Sequence, residues 1–185
     1  MTVKIVTDSV ADLPSQVVQE LGITVIPIIV RFGEEAYRDG VDLTADQFYT
    51  KLEESKTLPV TSVPSPGTFA EAYDKLAEDT DEILAIILSS KLSGTYDVAI
   101  QSVRLMNRKC RVEVLDSGWA TMAQGFIVMK AAEAAQTGAS LDEVIEVTRK
   151  TTSRVDFLCT FRTLEYLRRG GVLAKPRLFW GQYLR

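Results

Sequence analysis

The stretch "EILAIILSS" (Glu82–Ser90), followed at once by "KLSGTY" (Lys91–Tyr96), decides the fold. Its apolar run has no polar alternation, so neither face of the segment is meant for water. A run of this length reads as a strand buried on both faces, as in a parallel sheet covered by helices. It leaves through a hydroxyl-rich loop into a helical stretch, "TYDVAIQSVRLM". The same unit recurs on either side. "VKIV" (Val3–Val6) leaves through "TDS" (Thr7–Ser9) into a helix over about Pro14–Leu21, with Gly22 as its stop. "RVEVLDS" (Arg111–Ser117) leads into an Ala-rich helix over about Ala120–Gln136, stopped by Gly138. Strand followed by helix, several times over, predicts an α/β chain: a three-layer α/β/α domain around a mainly parallel sheet.

The connecting segments carry their own signals. "ITVIPIIVRF" (Ile23–Phe32) reads as one further strand, with Pro27 marking an edge or a bulge. "GEEAYRDGVD" (33–42) is polar and turn-rich and reads as a small hairpin excursion. Thr44 with Gln47, and Ser140 with Glu143, are capping boxes that open helices. A helix over about Thr68–Glu78 follows "PVTSVPSPGTF" (Pro59–Phe69), and "VDFLCTF" (Val155–Phe161) reads as a late strand. The predicted organisation is a first domain over 1–154, with the excursion at 32–58, and the start of a second α/β domain over 155–185.

Composition narrows the function. With 46% apolar residues in 185, a sizeable core is available. The net charge of -4 argues against nucleic acid as the main partner. No apolar run reaches the roughly 18 residues of a membrane span, and the N-terminus has no export signal. Two widely separated cysteines, Cys110 and Cys159, match no metal or redox spacing, which suits a reduced cytoplasmic setting. The chain has no histidine. That removes Ser-His-Asp and Cys-His catalysis and the commonest transition-metal ligand.

Hydroxyls gather at predicted strand exits and helix entries: "TDS", "TSVPS" (Thr61–Ser65), "SSKLSGTY" (Ser89–Tyr96) and Asp116-Ser117. Each has an ordinary reading as a helix cap. Together, beyond the carboxyl ends of parallel strands, they read as one pocket for a carboxylate or phosphate. No Walker loop or GxGxxG accompanies them, so a nucleotide cofactor has no support. Asp8 and Asp116 each end a strand and read more simply as caps than as metal ligands.

"TDSVADLP", "PVTSVPSPGTF", "SSKLSGTY", "VLDS" and "TLEYLRRGG" stand in the order and spacing that resemble the DegV family, over about Met1–Gly171. The resemblance implies a two-domain α/β protein that binds a long-chain, palmitate-like fatty acid between its domains. It implies a non-catalytic role without cofactor or metal, presenting the acyl carboxylate to a separate ATP-binding fatty acid kinase subunit. Thr61, Ser62 and Ser93 would contact the carboxylate, with Gly94 and Thr95 beside it. The rival reading is a phosphotransferase or small-molecule kinase subunit that uses the same loops for phosphate. Lys91 is the one cation in "SSKLSGTY", which disfavours it.

The resemblance breaks after "LRRGG". The family continues as "RIGKA", whereas this chain reads "VLAKPRLFWGQYLR" (172–185). Back-translation with a one-base shift recovers "RIGKA", so a frameshift near the codon for Gly171 and a chain truncated after its first domain are expected, the alternative being that the tail is a genuine short terminus. The family's head site also draws basic residues, including a histidine, from its second half. Weakened fatty-acid binding follows as an expectation.

Overall fold

The computed structural model describes residues 2–169. Strand β1 (Lys4–Asp8) runs into a single 3-10 turn, Ser9–Ala11, and helix α1 (Ser15–Leu21) starts after Pro14. α1 ends at Gly22, whose φ of 62° is the left-handed conformation that glycine adopts most cheaply. Strand β2 (Thr24–Ile26) follows.

Here the structure corrects the single strand expected over Ile23–Phe32. At Pro27 the chain leaves the main sheet, and β3 (Ile29–Phe32) belongs to a second one. Proline has no N–H to continue a ladder, so the run breaks rather than bulges. The next amide, Ile28 N–H, is taken up by Ser9 Oγ at 3.1 Å. β4 (Glu35–Arg38) folds back antiparallel on β3. Helix α2 (Ala45–Glu54) opens with both halves of the Thr44/Gln47 capping box formed. Strand β5 (Val60–Ser62) then pairs antiparallel with the other side of β3. Part of the hydroxyl-rich segment expected to be a turn is therefore an edge strand. Its three residues are all exposed, so no apolar alternation announced it. Val30, Phe32 and Leu43, with Tyr37 and Phe48 against them, form a small core of this region's own.

Helix α3 (Pro66–Leu76) leads to β6 (Glu82–Ile87), α4 (Thr95–Val103) and β7 (Arg111–Asp116). Helices α5 (Thr121–Gln136), α6 (Leu141–Thr152) and the short α7 (Glu165–Arg169) complete the described elements. The main sheet has the order β2-β1-β6-β7, and every pair in it is parallel. Residues 83–87 of β6 are fully buried. Leu84 and Ile86 face Ile127, Val128, Leu141 and Val144 of α5 and α6. Ile83, Ala85 and Ile87 face Phe69, Tyr73 and Ala99 of α3 and α4. At about 1.5–3 kcal/mol for each large apolar side chain buried, this strand anchors both outer layers. The architecture is the three-layer α/β/α arrangement that the sequence predicts.

α5 lies unusually close to the turn after β1. A Cβ added at Gly125 would stand 2.6 Å from the carbonyl oxygen of Ala11. The late strand expected at Val155–Phe161 does not form. These residues have no ladder partner among the described residues, and Leu158 is 93% exposed. Apolar, β-prone residues make a strand only when another strand takes their N–H and C=O groups. The segment from Gly170 onward, including the tail attributed to a frameshift, lies outside the described residues.

Candidate functional site

The chain leaves β1 toward β2 on one side, and leaves β6 toward β7 on the other. The connections therefore diverge between the carboxyl ends of β1 and β6. Parallel sheets open a ligand crevice at such a point. Around it stand Asp8 at the end of β1, Leu88–Ser90 beyond β6, and Asp116–Gly118 at and beyond the end of β7.

Two helices begin at this edge of the sheet. α3 precedes β6 and α4 follows it, so both run antiparallel to the strands and lie side by side. Their far ends are tied together. Asp74 accepts from the backbone N–H groups of Asn107 at 3.0 Å and Arg108 at 2.9 Å, and Arg108 pairs with Glu78 at 2.9 Å. Their N-termini consequently open side by side at the carboxyl edge, with unsatisfied N–H groups and the positive ends of two helix dipoles. Ser65 caps α3 by accepting from Thr68 N–H at 3.1 Å, with Pro66 at the first helical position. At α4, Ser93 Oγ accepts from Thr95 N–H at 3.3 Å and lies 2.9 Å from Thr95 Oγ1.

The five residues singled out in the sequence fall into two groups. Thr61 and Ser62 sit on β5 opposite Val30 and Ile29, exposed, immediately ahead of α3. Their hydroxyls have no protein partner among the described residues. Ser93 is half-buried and Thr95 is buried, and the space beside Gly94 is open where a Cβ would be. No hydrogen bond joins the two groups among the described residues.

Beneath the crevice lies a polar network that sequence reasoning missed. Thr7, Asp8 and Gln124 are fully buried. Asp8 accepts from Leu88 N–H at 2.8 Å, Val10 N–H at 3.0 Å and Gln124 Nε2 at 3.2 Å. Gln124 also donates to Thr7 Oγ1 at 3.0 Å, and Thr7 donates to the carbonyl of Ile86 at 2.8 Å. The signal was present: one glutamine next to a glycine in an otherwise apolar stretch of α5, "MAQGFIV" (122–128).

Burial pushes the Asp8 carboxyl above its ordinary value, against the pull of its hydrogen bonds from Leu88, Gln124 and Val10. Such a group holds its proton more tightly when folded. Its contribution to stability is present below the ordinary value of 3.8 and is lost as pH rises through the raised one. Asp42 works in the opposite sense. Hydrogen bonds from Arg38 hold it at about 2, so its contribution is lost as pH falls below 3.8 toward that value. Asp8→Asn is expected to flatten the decline in stability from about pH 4 upward, read by urea unfolding across the pH series. An unchanged slope would contradict the shift at Asp8.

Among the described residues, no three His, Cys, Asp or Glu side chains gather to hold a metal, and no helix is long and apolar enough to cross a membrane.

A parallel α/β sheet with two helix N-termini at its switch point defines a small-molecule-binding class of fold rather than one chemistry. The chain belongs to the DegV family: the family's sequence pattern, described as "Uncharacterised protein, DegV family", matches residues 2–185. The DegV domain-containing protein TTE1491 of Caldanaerobacter subterraneus is 39% identical over 182 residues, covering 98% of this chain and 64% of that protein. YejH of Lactococcus lactis is 38% identical over 185 residues, covering all of this chain and 66% of that protein. The chain thus spans slightly less than two thirds of the length of these relatives. Two solved structures share the fold. One, a DegV family protein from Thermus thermophilus described for its fatty acid binding, has a TM-score of 0.83 at 33% identity, covering 100% of this chain and 65% of its own. The other, the fatty acid binding protein DegV of Bacillus subtilis, has a TM-score of 0.86 at 31% identity, covering 100% and 66%.

Proposed function

We propose that this chain binds the carboxylate of a long-chain fatty acid at the starts of α3 and α4 and offers it to a separate ATP-binding kinase subunit. Thr61, Ser62, Ser93, Gly94 and Thr95 are the head contacts in this reading. The observation that carries it is the likeness of the whole chain to fatty-acid-binding DegV structures, taken with the Thr61 and Ser62 hydroxyls, which have no protein partner among the described residues, just ahead of the start of α3.

The energetics suit a lipid. Burying a chain of roughly 15 methylenes at ~0.8 kcal/mol each gives ~12 kcal/mol gross. A hydrogen bond to a charged head nets about 1.5–3 kcal/mol. The tail therefore supplies affinity, while the hydroxyls orient the head and offset its desolvation. No group of the chain needs to act as a nucleophile, so the role is binding and presentation, in the cytoplasm, and the phosphoryl chemistry belongs to the partner subunit.

Native mass spectrometry of the purified chain before and after mild organic extraction, followed by palmitate titration, tests this. Saturable but weak palmitate binding, with less than one extractable C16 or C18 acid per chain, is the expected result. A clean apo mass without saturable palmitate binding would overturn it.

A further inference from the structure

We propose that Asp8 and Asp116 are positioning residues that clamp the turn carrying Ser93, one from each strand beside β6, and so fix where the Ser93 and Thr95 hydroxyls stand. What those hydroxyls meet rests on the fatty-acid reading; the clamp itself does not.

β6 lies between β1 and β7. Where it ends, its backbone loses ladder partners, and three consecutive amides must find others. Leu88 N–H goes to Asp8 Oδ2 at 2.8 Å. Ser89 N–H goes to the carbonyl of Trp119 at 2.8 Å. Ser90 N–H goes to both carboxylate oxygens of Asp116 at 3.2 and 3.3 Å, and the Ser90 hydroxyl donates to the same group. The turn is thereby held from both sides. Its next link faces the site: the Ser89 carbonyl accepts from Leu92 N–H at 2.9 Å and Ser93 N–H at 3.2 Å. Ser93 then engages Thr95. An unbroken path of hydrogen bonds and peptide units runs from the two carboxylates to the hydroxyls.

The choice of side chain fits this task. Asp8 accepts from three donors at once, and Asp116 also takes Gly118 N–H at 2.8 Å. A carboxylate is acceptor-only on both oxygens, whereas an amide of the same length offers one accepting oxygen and turns donors toward the rest. Asp8 is itself immobilised by Gln124 and by complete burial. Asp116 is the accessible half of the clamp, and so the better half to test.

The experiment is amide hydrogen exchange by NMR on the ligand-free chain, paired with palmitate titration, for the parent, Asp116→Ala and Asp116→Asn. In Asp116→Ala, exchange at Ser90 and Ser93 is expected to speed about tenfold or more, and palmitate affinity to fall about tenfold. Asp116→Asn keeps an oxygen for Ser90 N–H and removes a negative charge. It should recover most of the protection and bind at least as well as Asp116→Ala. This rescue separates positioning from charge. Asp8→Asn, which leaves one donor facing an amide, should likewise speed exchange at Leu88 and Ser93. Unchanged Ser93 exchange in both Asp116→Ala and Asp8→Asn would overturn the clamp, whatever the parent binds. Faster exchange with no palmitate binding by any form would uphold the clamp and sink the fatty-acid reading alone.

Discussion

Ser93→Ala is expected to weaken palmitate binding about 10- to 100-fold, the loss of one hydrogen bond to a charged head. Stability should fall by only about 1 kcal/mol, because Ser93 Oγ also accepts from Thr95 N–H at the start of α4. Thr61→Ala makes the cleaner comparison. Its hydroxyl has no protein partner among the described residues, so binding should weaken while the melting temperature stays put. Isothermal titration beside thermal unfolding checks both variants. If Ser93→Ala and Thr61→Ala both bind palmitate like the parent, the helix starts do not hold the acid head.

Gly125→Ala should carry the largest cost in stability, about 2 kcal/mol net. Alanine is favoured over glycine in a helix by ~1 kcal/mol, so a helix considered alone predicts the opposite sign. The new Cβ, however, would lie 2.6 Å from the Ala11 carbonyl oxygen, 3.2 Å from Leu13 Cδ2 and 3.3 Å from Met122 Sδ. The side-chain ends can yield, but the backbone oxygen cannot rotate away. Overpacking of this kind costs up to about 3 kcal/mol. The melting temperature should drop by roughly 4–8 °C. The disturbance should also reach Gln124 and its hydrogen bond to Asp8, because α5 must move off the turn that follows β1. An unchanged or raised melting temperature would show that α5 sits farther from Ala11 than described.

What was legible in the sequence was local and periodic. Both capping boxes formed as spelled, since a Thr or Ser followed three residues later by Gln or Glu satisfies its amides without outside help. The apolar runs of β1 and β6 announced a covered parallel sheet. What escaped was decided by partners distant in sequence. β5 is three exposed residues whose only claim to being a strand is β3 beside it. "VDFLCTF" had the composition of a strand and has no neighbouring strand among the described residues. Pro27 was noticed, yet whether it bulges a strand or sends the chain into another sheet depends on where Ile28 N–H finds an acceptor, and that is Ser9, 19 positions earlier. The site was half legible for the same reason. Hydroxyls at helix entries follow capping rules, so Ser65 and Ser93 could be found by position alone. The Asp8–Gln124 pair spans 116 residues, and nothing local in either segment names the other.

The departure at Pro27 also bears on how such a chain can diversify. Residues 29–62 leave the main sheet at Ile28, held by Ser9, and rejoin it through buried Pro64 and the Ser65 cap. Between those two anchors the segment packs on its own small core. Lengthening the hairpin or trading its surface residues leaves the register of the four parallel strands untouched. Selection can therefore remodel this flap, the edge that carries Thr61 and Ser62, as a unit separate from the frame that holds Ser93.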